Sequence, residues 1–500
     1  MLRRPPSRLA ARRASRVGPV VLAVIVVGGV AAPAPAIAAD PGVHARSHRR
    51  PAPSREVYGY LPYWQLGPST AKQLDYGNLS TIAFFAIPVR ASGALDGRSP
   101  GYRAYVSRDA RAVTNAAHAR GVRVVPTFQV FQVPTLRRLL ASPRAQQRFI
   151  REALALMARR GADGANLDVE PIPTGLASSY ATFVGRFSRA MHRRFRGSQL
   201  AVATPAIVSD RVLRTLEPVV DRMFVMTYDY HGPGSSQPGP VAPLTSGPHN
   251  VAKTIRNYLR LVPARKLILG LPYYGYSWPV QKVHGTWRIR ANAGRYGGVR
   301  AMTYAAAVAW LRRNPRVQVH QSAGSGSWFR YLNRSDGTVR EVFFESAASA
   351  TLKVNYAIAN GLAGVGVWAL RNDAGSPGMA RAIRRTLVNP VRRVTARTTV
   401  RRVRIVGGRV RLDGTVVVGN RGTRAERGTL RWRVVDRNGR TIQTGHRVVA
   451  VYPGAAATER VTVTLGRPFA LRAGTYRLVV RFAATSWLTA TSRDAFWQPF

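Results

Sequence analysis

Asp163-Gly-Ala-Asn-Leu-Asp-Val-Glu170 sets two acidic side chains, Asp168 and Glu170, two positions apart in a short apolar run. Side chains of a β-strand alternate faces at about 3.3 Å per residue. Asn166, Asp168 and Glu170 therefore share one face, and Leu167 and Val169 the other. Carboxylates turned into a shared interior are costly unless they are paired or do chemistry. The flanks argue against a solvated edge strand. Leu154-Ala-Leu-Met157 before it and Ala177-Ser-Ser-Tyr-Ala-Thr-Phe-Val184 after it read as helices, and a strand between helices is usually buried.

Outward from this strand the chain alternates short apolar runs with amphipathic stretches. Tyr58–Trp64, Thr81–Val89, Val122–Val130, Ala165–Glu170, Gln199–Pro205, Met223–Tyr228, Leu267–Tyr273 and Gly364–Trp368 are strand candidates. Helical stretches between them include Ser107–Arg120, Pro143–Arg160, Ser178–Arg196, Asn250–Leu261 and Ser349–Asn360. Such an alternation predicts an α/β fold, a TIM (β/α)8 barrel over residues 56–390. Between the last two strands, about 279–344, short runs with turns (Thr286–Arg290, Val317–His320, Trp328–Tyr331, Glu341–Phe344) and a helix over Tyr304–Arg313 predict a small α+β insertion.

Several of these elements resemble those of glycoside hydrolase family 18, whose catalytic strand is usually written DGxDxDxE. DGANLDVE resembles that signature, and Val57-Tyr-Gly-Tyr-Leu-Pro-Tyr-Trp64 the first barrel strand. Phe224-Val-Met-Thr-Tyr-Asp229 is similar to the sixth-strand element, Lys266-Leu-Ile-Leu-Gly-Leu-Pro-Tyr-Tyr-Gly275 to the seventh, and Gly364-Val-Gly-Val-Trp368 to the eighth with its terminal tryptophan. One departure stands out. Asn166 occupies the place of the family's first aspartate, a variant that resembles the branch of bacterial spore-cortex and cell-wall glucosaminidases.

Active sites of TIM barrels lie at the C-terminal ends of the strands, where Glu170, Tyr228, Asp229 and Trp368 can converge. Glycoside hydrolysis needs a proton donor for the leaving oxygen and a group that stabilises the oxocarbenium-like centre. Glu170 suits the acid/base role, provided burial raises its pKa. Asp168, two residues away on the same face, is badly placed to attack the opposite side of a sugar. The resemblance implies that the substrate's own 2-acetamido oxygen attacks instead. Asp168 would then orient the acetamide N–H, Tyr228 would donate to its carbonyl, Asp229 would contact the sugar or tune that network, and Trp368 would form the apolar floor. Asn166, Tyr60, Phe85, Gln129 and Tyr273 are further substrate-binding candidates, and Tyr63, Trp64, Tyr274 and Trp278 lie near strand ends as well. Asp163 has the opposite parity and reads as a structural hydrogen-bonder.

The resemblance implies a secreted retaining glycosidase acting on β-1,4-linked N-acetylglucosamine polymers, peptidoglycan or chitin. Removal of N-glycans and silent glycan binding are the alternatives. The chain has no cysteine and its histidines show no ligand-like spacing, so neither a disulfide nor a metal is expected, and no cofactor. Residues 1–39 read as a signal peptide: a basic start (Arg3, Arg4, Arg8, Arg12, Arg13), an apolar Val17–Val30 short of the ~20 residues of a membrane span, and Ala36-Ile-Ala38 before the cut. Secretion or attachment to the cell wall follows. Residues 40–55 read as a disordered Pro/Arg linker. The formal charge of +54, from 76 Lys+Arg against 22 Asp+Glu, favours association with an anionic wall. No nucleic-acid motif appears, and a monomer is expected.

After Pro390 the texture changes. Val400–Val406, Val410–Val418, Leu430–Val435, Val461–Leu465 and Tyr476–Phe482 alternate apolar and polar residues, and Asp436-Arg-Asn-Gly439 is a hairpin turn. An all-β immunoglobulin-like or fibronectin-like sandwich is expected over 396–500, with Leu471-Arg-Ala-Gly-Thr-Tyr476 as a corner. Trp487 and Trp497 are candidates for a sugar platform or for core.

Overall fold

The computed structural model describes residues 55–290, 297–322, 324–388, 390–465, 474–484 and 488–498. The signal-peptide reading and nearly all of the linker therefore lie outside the described residues, as do Trp487 and the first half of the 471–476 corner. For Trp497 only the backbone is described.

Parallel strands close into a barrel. They are β1 (Glu56–Pro62), β2 (Thr81–Pro88), β3 (Arg123–Val130), β4 (Gly164–Val169), β5 (Gln199–Pro205), β6 (Arg222–Met226) and β7 (Leu267–Pro272). An inserted sheet follows, made of β8 (Tyr274–Val283), β9 (Thr286–Ile289), β10 (Arg300–Thr303), β11 (His320–Ser322), β12 (Gly326–Asn333) and β13 (Thr338–Phe344). Then β14 (Gly364–Trp368) closes the barrel between β1 and β7.

Alternation sorts the barrel residues into two layers. Leu167 and Val169 join the large core between strands and helices. The other parity fills the barrel interior with Tyr58, Tyr60, Ala83, Phe85, Val125, Ala201, Phe224 and Ile268. Glycines make room where backbones or rings crowd. A Cβ on Gly164 (φ 154°) would stand 2.1 Å from the Gln199 carbonyl oxygen of β5, and one on Gly366 would stand 2.2 Å from the Phe224 ring. The helices follow their local signals. In Pro143–Arg160, Ser142 caps the first turn by accepting from the Ala145 N–H, Pro143 sits at the first position, and Gly161 ends the helix in the left-handed conformation.

Polar clamps secure the N-terminal end of the barrel. Asp163 Oδ2 accepts from the Val124 N–H at 2.8 Å and contacts His118 Nε2 at 2.8 Å, which is the structural task expected of it. Two βα units later the arrangement recurs. Asp221 Oδ2 accepts from the Leu200 N–H at 2.7 Å and meets His192 Nε2 at 3.0 Å. Glu56, 6% exposed, closes the bottom with Arg222 at 2.8 Å and Thr81 at 3.0 Å.

The insertion begins earlier than expected. The chain leaves β7 at Pro272, and β8 starts at Tyr274 in a different sheet, pairing with β13 and β10. A continuous apolar run hid this change of partner, which only pairing reveals. The second expected run, Val317–His320, also shifts, since the strand there is His320–Ser322.

Seven antiparallel strands form the C-terminal unit: β15 (Val394–Val406), β16 (Arg409–Asn420), β17 (Glu426–Val435), β18 (Thr441–Val451), β19 (Ala456–Thr464), β20 (Gly474–Ala483) and β21 (Thr489–Gln498). Their sheets, β15-β16-β19 and β18-β17-β20-β21, enclose one core of Val410, Leu412, Val416, Leu430, Val434, Leu478, Val480 and Phe482. The turn expected at Asp436–Gly439 joins β17 to β18 through a 3.0 Å bond from the Gly439 N–H to the Asp436 carbonyl. That short turn keeps β18 beside β17. The two strands missed from sequence, β18 and β21, are the edges of their sheet, where alternation is weakest. Toward the barrel, the Ala425 N–H donates to Asn355 Oδ1, and the buried Glu426 pairs with Arg392 at 2.7 Å and Arg424 at 3.3 Å.

Candidate active site

At the C-terminal rim of the barrel, β4 delivers Asn166 and Asp168 to the interior, both buried, and Glu170 just beyond it, half-buried. Asn166 Nδ2 donates to Thr127 Oγ1 of β3 at 3.3 Å, and Gln129 stands beside Asp168 in the β3–β4 register. The Asp168 and Glu170 carboxyls are hydrogen-bonded to each other. Burial, followed by the charge of Glu170, lifts Asp168 well above the usual carboxylate range. Burial also raises Glu170, helped by the charge of Asp229 and opposed by the bond from Asp168. Burial and mutual charge thus favour a proton shared between the two carboxyls over two separate negative charges.

After β6 the chain turns through Asp229, which adopts φ 58°, a left-handed conformation that aspartate tolerates. Its Oδ1 accepts from the Tyr274 hydroxyl at 2.6 Å and from the Tyr276 hydroxyl at 2.9 Å. Asp229 stays open to solvent along the cleft although protein surrounds its carboxylate. Burial raises its pKa, and the hydrogen bonds from the two tyrosines restrain that rise. Tyr228 is held neutral by burial and by the charges of Glu170, Asp229 and Asp168, which keeps its hydroxyl a donor.

Aromatic rings form the floor and one wall. Trp368 meets Phe85 at 4.6 Å and Tyr60 at 5.5 Å between centroids. Trp64, 48% exposed, and Phe131, 43% exposed, extend this surface outward beside Phe85. Several polar atoms here are buried without a hydrogen-bonding partner: Tyr58 Oη, Gln129 Oε1, Asn166 Oδ1 and Asp168 Oδ1. Orphans of this kind are rare in protein interiors, and their convergence marks a place that receives a polar ligand.

The structure thus brings together Asn166, Asp168, Glu170, Tyr228, Asp229, Trp368, Tyr60, Phe85 and Gln129. Tyr273 is the exception. Expected to line the cleft, it is 3% exposed in the strand–helix core, its N–H bonded to the Trp368 carbonyl and its ring near Asp373 and Tyr304. The change of sheet after Pro272 turns Tyr273 outward and Tyr274 inward. Tyr58, Thr127, Phe131 and Tyr276 belong to the site and were missed, although Tyr58 and Thr127 share strand parity with Tyr60 and Gln129. Trp278 is fully buried under Tyr276, 5.6 Å away between ring centroids. No cluster of three or more His, Asp and Glu suited to a metal occurs among the described residues.

Residues 133–373 match the family model "Glycosyl hydrolases family 18". YdhD of Bacillus subtilis (strain 168), provisionally named a sporulation-specific glycosylase, is 29% identical over 352 residues, covering 67% of this chain and 78% of its own. Di-N-acetylchitobiase of Rattus norvegicus is 25% identical over 322 residues, 61% of this chain and 80% of its own. Among solved structures, the spore cortex-lytic enzyme SleL of Bacillus cereus superposes with a TM-score of 0.54 at 20% identity, over 66% of this chain and 74% of that one. Group IV chitinase of Ostrinia furnacalis, solved with allosamidin, gives 0.57 at 18% identity, over 67% and 99%. At such identities the superpositions speak for the fold. The match of the family model to the segment that carries the carboxylates is what names the chemistry: residues 133–373 match glycosyl hydrolase family 18, and the protein is a glycoside hydrolase.

Proposed function

We propose that the protein is a secreted, monomeric, retaining glycosidase that cleaves β-1,4-linked N-acetylglucosamine polymers of the bacterial cell wall by substrate-assisted catalysis. The observation that carries this reading is the hydrogen-bonded Asp168–Glu170 pair facing Tyr228 and Asp229 at one rim. Glu170 donates a proton to the glycosidic oxygen as the bond to C1 breaks, and the substrate's acetamido oxygen closes on C1. The acetamide N–H donates to Asp168, which therefore has to be anionic. Binding of the acetamide draws the shared proton from Asp168 to Glu170, arming the acid when substrate is seated. Tyr228 donates to the acetamide oxygen, and water returned through Glu170 opens the ring formed. Trp368 and Phe85 supply the apolar floor and exclude water.

The wall rather than chitin is favoured by the charge of +54 and by the names of YdhD and SleL. Purified protein should release reducing ends from wall sacculi faster than from chitin oligomers, and leave an N-glycosylated protein untouched. The first product should carry the β configuration, and de-acetylated substrate should be inert. Early α product seen by NMR, or equal turnover of de-acetylated substrate, contradicts the mechanism. Preference for chitin or for the glycoprotein contradicts the substrate.

A further inference from the structure

One face of the four-stranded C-terminal sheet packs into the core through Leu430, Val434, Leu478, Val480 and Phe482. Its other face carries Arg431 and Arg433 on β17, Arg477 and Arg481 on β20, Arg493 on β21 and His446 on β18, all exposed. Register joins them into one patch. Arg431 stands directly opposite Arg481 on one side and His446 on the other, and Val479 lies between Arg433 and Arg493. Strands lie about 4.8 Å apart and same-face residues about 6.7 Å apart. The arginines are thus rooted in an area roughly 15 Å across.

Nothing acidic offsets them among the described side chains. The carboxylates of this unit whose side chains are described are engaged elsewhere: Glu426 with Arg392 and Arg424, Asp413 with Arg404 and Arg411, and Glu459 with Arg447. Asp436 accepts from backbone N–H groups in its own turn. The opposite sheet shows the contrast, since there Asp413 sits on the outer face and bridges two arginines. Like charges directly opposite one another across a strand pair are destabilising. A face that retains Arg431 against Arg481 is suited to a counter-charge from another molecule.

We propose that this face binds a phosphodiester-linked polyol chain, an anionic polymer of the wall, and holds the barrel against its substrate. Planar guanidinium forks take phosphate oxygens two at a time, and a lattice of them suits a chain with one charge per repeat. The outward rows offer Thr429, Thr444, Val448, Val479 and Thr491 between the arginines and no Phe, Tyr or Trp among the described side chains. Among the described side chains this face therefore offers no aromatic platform of the kind on which proteins stack bases. The inference rests on the wall-directed reading above, but its test does not require hydrolysis.

Full-length protein would be titrated with a poly(glycerol phosphate) across a range of salt. Replacing Arg431, Arg433 and Arg481 by Thr should weaken binding at least tenfold near about 0.1 M salt and lower the log–log salt slope by about 2, since each lost contact removes roughly 0.7. Melting temperature and hydrolysis of a soluble chito-oligosaccharide should hold, and a milder Arg431→Gln/Arg481→Gln variant should give an intermediate loss. The control replaces Arg397, Arg402 and Arg460, exposed on the other sheet, by Thr and should lose less than threefold. Equal losses in both triples would mean that bulk charge binds the polymer and the face does not. Single-stranded DNA of matched charge binding as tightly, through the same arginines, would overturn the choice of ligand. Wild-type protein that binds the polymer yet leaves the oligosaccharide intact would count against the proposed activity alone.

Discussion

The Tyr274 hydroxyl, from the first residue of the inserted sheet, donates a 2.6 Å hydrogen bond to Asp229 Oδ1 at the end of the sixth barrel strand. The insertion therefore holds a carboxylate of the barrel. Tyr274→Phe should lower kcat/KM roughly tenfold to a hundredfold, the worth of a hydrogen bond to a charged group. Tyr274 and Tyr276 oppose the upward push of burial on Asp229, so removing one lets that carboxyl rise and moves the acidic limb of kcat/KM to higher pH. Unchanged activity and an unmoved limb would place Asp229 outside the reaction.

Glu170→Gln removes the proton and leaves the shape. Turnover should fall by about 10²–10⁴, the usual contribution of a general acid/base, with circular dichroism and oligosaccharide binding retained. Near-normal kcat in this variant would dismiss Glu170 as the acid.

Asp168 illustrates function held against stability. Its folded pKa lies above its unfolded value because of burial and Glu170. The folded state therefore binds the proton more tightly. That stabilising contribution is complete below the unfolded value, about 3.9, and is lost as pH rises through the raised folded value. Asp168→Asn should thus melt higher than wild type at pH 7, with the gap closing toward pH 4, while activity collapses. Melting curves at both pH values check this. A variant less stable at pH 7 would be inconsistent with a strained carboxyl.

Asn166 has no side-chain exposure to water and sits beside Asp168, held by Thr127. A second carboxylate there would repel Asp168, by at most roughly 3 kcal/mol at about 5 Å in an effective dielectric of about 20. Asn166→Asp should then move the acidic limb of kcat/KM to higher pH, since in the proposed mechanism Asp168 ionises to receive the acetamide. Superimposable pH profiles of the two proteins on one soluble substrate would show that Asn166 exerts no electrostatic hold on the pair.

Much of this molecule was legible from short-range pattern, because alternation in β4 is a local property. Two-residue periodicity put Asn166, Asp168 and Glu170 on one face, and the helix over Pro143–Arg160 announced both of its ends through Ser142, Pro143 and Gly161. Which strand pairs with which is a long-range property, and the misreadings cluster there. From Leu267 to Val280 the sequence reads as one apolar run, yet the chain changes sheets after Pro272, and a change of sheet reverses which tyrosine faces the cleft. Tyr273 went to the core and Tyr274 and Tyr276 to Asp229 for that reason. The basic face on the C-terminal sheet has the same origin. Its arginines are scattered from 431 to 493 in a chain rich in arginine, and only the register of β17, β20 and β21 gathers them into one patch.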